Sequence, residues 1–245
     1  MANKDINSYQ NFRQFKYIDI VTVIFVLVLV VSNIASSAKI IDWGVNLFKI
    51  PLAFDAGTIL FPISYIFGDI LTEVYGFKRS RRIIWIGFGC LIFTALVFWI
   101  ISIMPGELNW QQTVGQDSFN KILGGLFSGG IVLASILGYL LGSFSNAIVM
   151  SLLKKLSQSK FLWIRTISST IIGEFVDTFI FILIATITRV FPWGIFWSLI
   201  ITNYIFKVGI EVLMTPFTYL IVNKLKQSEG IEFFDDTKDL NPFKF

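Results

Sequence analysis

Six ionisable residues sit in stretches otherwise too apolar for water: Asp69 and Glu73, Glu174 and Asp177, Lys207 and Glu211. Members of each pair are three or four positions apart, so on a helix each pair projects from one face. Such a group costs about 2.5–3.5 kcal/mol at the centre of a bilayer helix, on the order of 15–20 kcal/mol for all six before pairing. Folding alone does not require that cost, and the pattern points to a polar cavity. Carboxylates there can accept a ligand's N–H groups, hold its cation or carry a proton. In the sixth apolar segment the polar stripe runs through Asn203, Lys207, Glu211 and Thr215 at four-residue steps. In the fifth, Ser169, Gly173 and Asp177 share a face, with Thr170 and Glu174 beside them. Three helices are therefore expected to converge on one interior. Lys207 needs a buried partner, for which Asp69, Asp177 and Glu211 are the candidates. One lysine cannot neutralise five carboxylates, so others are protonated, near a membrane end or available to a ligand. Glu73, beside the 76–82 turn, is read as solvated. Asp69 and Asp177 rank first as binding residues, with Glu174 and Glu211 second. Asn33 and Asn146 can each either close a packing hydrogen bond or contact a ligand.

The elements that must position these groups follow from composition. Of 245 residues 55% are hydrophobic and only 15% charged, against roughly 25% in a soluble domain, and mean hydropathy is +0.73. A soluble globular fold is excluded. The 26 Phe and 7 Trp suit a lipid-facing surface with interfacial rings. The absence of His removes imidazole metal sites, Ser-His triads and His proton relays. Cys90 is the single cysteine, which excludes an intramolecular disulfide and a multi-thiolate metal site. The chain has no GxxxxGK[ST] loop and no HExxH, so neither ATP hydrolysis nor metal-dependent proteolysis is expected of it. No cofactor, metal or catalytic residue is predicted, and binding or permeation is favoured over catalysis.

A bilayer-spanning helix needs about 20 apolar residues. Six segments qualify, near 17–38, 55–75, 82–103, 124–150, 166–188 and 195–223, forming an all-α membrane domain over 1–245. Basic residues test the count independently. With the N-terminus inside, fifteen Lys and Arg fall in cytoplasmic segments and four (Lys39, Lys49, Lys121 and Arg189) outside, with Lys207 in the membrane. The positive-inside rule then puts both termini in the cytoplasm. Stretches 78–82 and 154–165 are accordingly read as topology anchors, and no nucleic-acid partner is expected despite the net charge of +4. The run Ile20–Val31 followed by Ala35-Ser36-Ser37-Ala38 could be a cleaved signal, but sixteen residues precede the 17–38 span and a retained span is expected. Segment 39–54, with Trp43, Phe48 and Pro51, is amphipathic and suited to the membrane surface. The longest connection is 104–123, and 227–245 reads as a mobile polar tail. Gly130, Ala134, Gly138 and Gly142 form a small-residue ridge leading to Asn146, fit for an internal helix seam or a homodimer. Pro62 and Pro216 are expected to bend the second and sixth helices.

The segment Phe61-Pro62-Ile63-Ser64-Tyr65-Ile66-Phe67-Gly68-Asp69-Ile70-Leu71-Thr72-Glu73-Val74-Tyr75-Gly76, followed by Arg81-Arg82, resembles the signature of the YhhQ-type queuosine precursor transporters, also called the vitamin uptake transporter family. Two further blocks agree: Ser168-Ser169 to Gly173-Glu174-Phe175-Val176-Asp177-Thr178, and Tyr204-Ile205-Phe206-Lys207 running to Thr215-Pro216. The resemblance spans about 17–225. It implies uptake of a 7-deazaguanine (the cyano or aminomethyl precursor of queuosine, or queuine) at the bacterial inner membrane, and a fold similar to the six-helix S-components of vitamin importers. By motif, Asp69, Asp177 and Lys207 match favoured positions, whereas Glu73, Glu174 and Glu211 match less firmly.

The residues suit such a ligand. A deazaguanine presents an N–H and an exocyclic NH₂ side by side, which one carboxylate can accept. Its carbonyl needs a donor, for which Lys207 or Asn203 is expected. Its flat ring needs an aromatic slot, for which Tyr65, Phe67, Phe175 and Phe206 are the candidates. The alternative function is a capture subunit for a vitamin-like molecule that depends on an energy-coupling partner. A membrane enzyme acting on a lipid is the third and weakest reading.

Overall fold

The computed structural model describes residues 15–47, 50–158, 160–230, 235 and 240–244. Among them the six expected spans are present as helices long and apolar enough to cross a membrane. The first is α1 (Ile18–Ala38), mostly apolar and small residues with Asp19 in its first turn and Asn33 near its end. It leads into an antiparallel hairpin of β1 (Ile40–Leu47) and β2 (Ile50–Asp55), paired from Ile40–Asp55 to Leu47–Ile50 with an irregularity between Asp42 and Asn46. The segment expected at the membrane surface is thus a hairpin, with Trp43 on β1, Pro51 on β2 and Phe48 outside the described residues.

A 3₁₀ turn (Ala56–Ile59) then opens α2 (Phe61–Ile70). Pro62 lies in its first turn, where a missing N–H breaks no helical bond. It therefore starts the helix, and does not bend it as expected. The irregularity in this span comes later: Leu71–Tyr75 forms a wider π turn, ended by Gly76 at φ 83°. That left-handed backbone favours glycine and lets α3 (Phe77–Ile103) begin at once, five residues earlier than predicted.

The connection 104–123 contains two short helices, α4 (Leu108–Thr113) and α5 (Gly115–Leu123). Then come α6 (Gly129–Leu156), α7 (Leu162–Ile187) and α8 (Phe196–Glu229). Pro216 lies inside α8. The polar tail expected from residue 227 on begins as the last turn of α8, closed by Gly230 at φ 62°.

Burial identifies the central element. In α2 67% of the apolar window is buried, against 11% in α3. Polar side chains can survive in lipid only where protein surrounds them, which is why α2, the least apolar span, occupies the middle. Outward faces carry Val23, Leu27, Phe93, Trp99, Leu213 and Phe217, all more than half exposed, as a lipid-facing surface requires. Phe25, Leu29, Ile70, Leu71, Tyr75, Phe77, Phe144 and Met150 pack the apolar core between α1, α2, α3 and α6.

The ridge on α6 is an internal seam against α7. A Cβ on Gly142 would lie 2.6 Å from Asp177 Cβ and from Tyr65 Oη, and one on Gly138 2.9 Å from Asp177 Oδ1. Reciprocally, a Cβ on Gly173 would stand 2.7 Å from Asn146 Cβ. The two backbones touch through glycines, and the ridge is not open to a second copy.

Candidate functional site

The polar stripes of α2, α7 and α8 meet as their spacing predicts, with α6 closing the fourth side. Asp69, Glu174 and Glu211 are at most 1% exposed, Asp177 and Lys207 9%. Lys207 Nζ donates to Asp177 Oδ2 at 2.6 Å and forms an ion pair with Glu174 Oε2 at 3.2 Å, without hydrogen-bond geometry. The same ammonium stands 5.3 Å from the centre of the Phe61 ring, a cation–π contact. Of the partners foreseen for Lys207, the structure selects Asp177 and adds Glu174.

Asp69 has a different environment. Asn146 Nδ2 donates to its Oδ1 at 2.7 Å. Glu211 Oε1 accepts from Thr170 Oγ1. Neither carboxyl has a cation within ion-pair distance among the described residues. Several polar atoms of this interior lack a hydrogen-bond partner there: Tyr65 Oη, Asp69 Oδ2, Asn146 Oδ1, both oxygens of Glu174 and Glu211 Oε2. Unpartnered buried polar atoms cost about 1–3 kcal/mol each, and their concentration here marks a site built for something besides packing. A narrow cleft lined by Phe25, Ser64, Tyr65, Gly68, Thr72, Ser143 and Asn146 borders it.

Other predicted residues fall elsewhere. Asn203 donates to Leu199 O on its own helix, at 2.9 Å. Asn33 donates to Leu29 O and lines a separate cleft with Thr94, Gly125 and Ser135. Phe67 packs against the apolar core. Phe175 is 48% exposed and stacks on Phe179. Tyr65 remains beside the charged groups as expected. Phe61 was missed as a site residue, although its place two turns before Asp69 puts it on the same face.

Glu73 corrects the sequence reading most sharply. It is fully buried, not solvated. Its Oε1 accepts from Arg165 Nη2 at 2.8 Å and Lys226 Nζ at 2.6 Å, with Lys154 Nζ at 3.8 Å. Lys154 also donates to the Glu73 backbone carbonyl at 2.6 Å. Two of the presumed topology anchors, Lys154 and Arg165, thus turn inward. On the same π turn, Tyr75 Oη donates to Glu229, whose carboxylate also accepts the backbone N–H groups of Lys16 and Tyr17. The first described helix therefore begins on the side where the last one ends. The tail docks there as well: Asp235 accepts from Phe77 N and Ser151 Oγ, Asn241 O from Arg81, and Pro242 O from Trp85 Nε1.

A four-helix polar interior in a six-span protein invites comparison with known membrane families. Residues 55–221 match the family described as "Putative vitamin uptake transporter". The chain belongs to this family. The match takes in α2, α6, α7 and α8 as far as residue 221, and makes the chain a multi-pass membrane protein of that family. Among its relatives is the "Queuosine precursor transporter" of Escherichia coli (strain K12), 28% identical over 172 residues, covering 69% of this chain and 73% of the relative. The "Probable queuosine precursor transporter" of Bacillus subtilis (strain 168) is 25% identical over 177 residues, covering 71% and 73%. That of Haemophilus influenzae (strain ATCC 51907 / DSM 11121 / KW20 / Rd) is 28% identical over 169 residues, covering 68% and 67%. These relatives are named as transporters, not enzymes. No solved structure matches the chain.

Proposed function

We propose that this family member takes up a queuosine precursor (7-cyano- or 7-aminomethyl-7-deazaguanine, or queuine) across the bacterial inner membrane, with both termini cytoplasmic and without ATP hydrolysis in the chain. The observation that carries this is the buried set of Lys207, Asp177, Glu174 and Tyr65, whose carboxylates outnumber their cation and whose oxygens are only partly satisfied. Relatives named for queuosine precursors narrow the ligand class.

Asp177 or Glu174 accepts the N–H and NH₂ of the deazaguanine, and Lys207 donates to its carbonyl. Asn203, held by its own helix, leaves that role to Lys207. Phe61 and Tyr65 supply the ring contact, replacing Phe175 on the exposed face. A purine without the donor pair leaves a buried carboxylate unpaired, which such sites reject strongly. The cleft is narrow, so loading requires the helices to part, and alternating exposure of the site to the two sides moves the substrate.

The test is a thermal-shift titration of the purified chain against the three deazaguanines, with guanine, adenine, biotin and riboflavin as controls. A ligand at one hundred times its Kd stabilises the folded state by about 2.7 kcal/mol. Deazaguanine-specific shifts are expected, weakened about ten- to a hundredfold in apparent Kd by Asp177→Asn, as for loss of a charged hydrogen bond. The family's description as vitamin transporters favours one second reading, a vitamin-capture subunit; a shift with biotin or riboflavin alone would select it.

A further inference from the structure

The charges in the membrane interior do not balance evenly, and the imbalance is localised. Glu73 faces three cations. Asp177 and Glu174 share Lys207. Asp69 and Glu211, from α2 and α8, have only neutral hydrogen-bonding neighbours, Asn146 and Ser169 beside Asp69 and Thr170 beside Glu211. Each keeps its second oxygen unpartnered, and each is at most 1% exposed. The charged neighbour of Asp69 on its own helix is Glu73, and those facing Glu211 are Asp69 itself and Glu174 from α7. Beyond Glu174 lie Asp177 and Lys207, whose ammonium is already engaged; Tyr65 and Asn146 complete the surroundings.

Two ionised carboxylates with no cation between them, enclosed by protein and lipid, are far costlier than the same groups protonated. A metal cation is the other way to neutralise them. Among the described residues, however, no three acidic, His or Cys side chains stand close enough together to hold one. We propose that Asp69 and Glu211 are a proton-coupling site, loaded with protons in this closed conformation and deprotonated when the helices part to water. Resting on the uptake reading above, this makes transport a proton symport, in which a neutral deazaguanine enters with net positive charge. Asp69 and Glu211 then drive accumulation, while Lys207 and Asp177 recognise the substrate.

The experiment reconstitutes the full chain in liposomes and follows labelled 7-cyano-7-deazaguanine under an imposed pH gradient, acid outside, with the membrane potential clamped. Uptake above equilibrium is expected, abolished by a protonophore and accompanied by external alkalinisation. Glu211→Gln is expected to lose gradient-driven accumulation yet keep substrate counterflow at equal pH, which also shows that it folds; Asp69→Asn is the second variant. The infrared carbonyl stretch of a protonated carboxyl, present at neutral pH in the parent, should diminish in each. Accumulation indifferent to the pH gradient, or driven by a sodium gradient at fixed pH, would overturn the proton site while leaving the uptake reading intact. Absence of both deazaguanine binding and counterflow would instead fell the uptake reading, and the coupling with it.

Discussion

At the scale of single residues, Glu73 carries the largest predicted structural effect. Its carboxylate is the shared acceptor for Arg165 and Lys226 with Lys154 nearby, so Glu73→Gln removes a counter-charge that three cations share. Removing one partner of a buried ion pair costs about 3–5 kcal/mol, and the thermal midpoint in detergent should fall accordingly; an unchanged midpoint would show that the cluster contributes little. The six intramembrane charges were legible in the sequence because lipid excludes charge from any place where it has no task. Of their partners only Asp177, which binds Lys207, was among those foreseen. Glu73 meets Arg165 and Lys226 across 92 and 153 positions, and nothing in local spacing distinguishes a basic residue that snorkels outward from one that turns inward. Nor could spacing show that Asn203 would bond to its own helix, an option open to any such side chain four residues beyond a carbonyl.

Among the elements, the α6–α7 seam gives a contrast of sign. Gly142→Ala places a methyl 2.6 Å from Asp177 and Tyr65, and overpacking of this kind costs about 1–3 kcal/mol. Gly209 in α8 has open space around it, so Gly209→Ala should gain about 0.5–1 kcal/mol from lower backbone entropy. Paired thermal melts would show both, and equal effects would contradict the seam. Asp235 caps the start of α3 through the Phe77 N–H, and Asp235→Ala should lose roughly 0.5–2 kcal/mol, as helix caps do. In the connection 104–123, Glu107 accepts backbone N–H groups from Asn109 and Trp110, which hold its carboxyl below the ordinary 4.5. A carboxyl lowered in the folded state stabilises α4 above its unfolded value and loses that contribution as pH falls through the folded one. Hydrogen-exchange protection in 108–113, relative to the intrinsic rate at each pH, should therefore fall on acidification, and Glu107→Gln should flatten the response. The six spans and the glycine ridge were readable from length and periodicity. The π turn and the hairpin were not, because both depend on how neighbouring helices pack and not on local propensity.

For the whole molecule, both ends of the described chain lie on one side, joined through Glu229 to the backbone of Lys16 and Tyr17. The fifteen-to-four distribution of basic residues supports the proposal that this side is cytoplasmic. Replacing Cys90 gives a thiol-free background, in which single cysteines at position 107 should react with an impermeant reagent added outside and those at position 227 should not. The reverse pattern would invert the topology. The central claim concerns transport by this chain alone, and its most direct test is uptake of labelled 7-cyano-7-deazaguanine into liposomes containing only the purified protein, without ATP. Saturable uptake, competed by 7-aminomethyl-7-deazaguanine and not by adenine, and lost in Asp177→Asn, is the predicted result. Binding without any movement across the bilayer would contradict it.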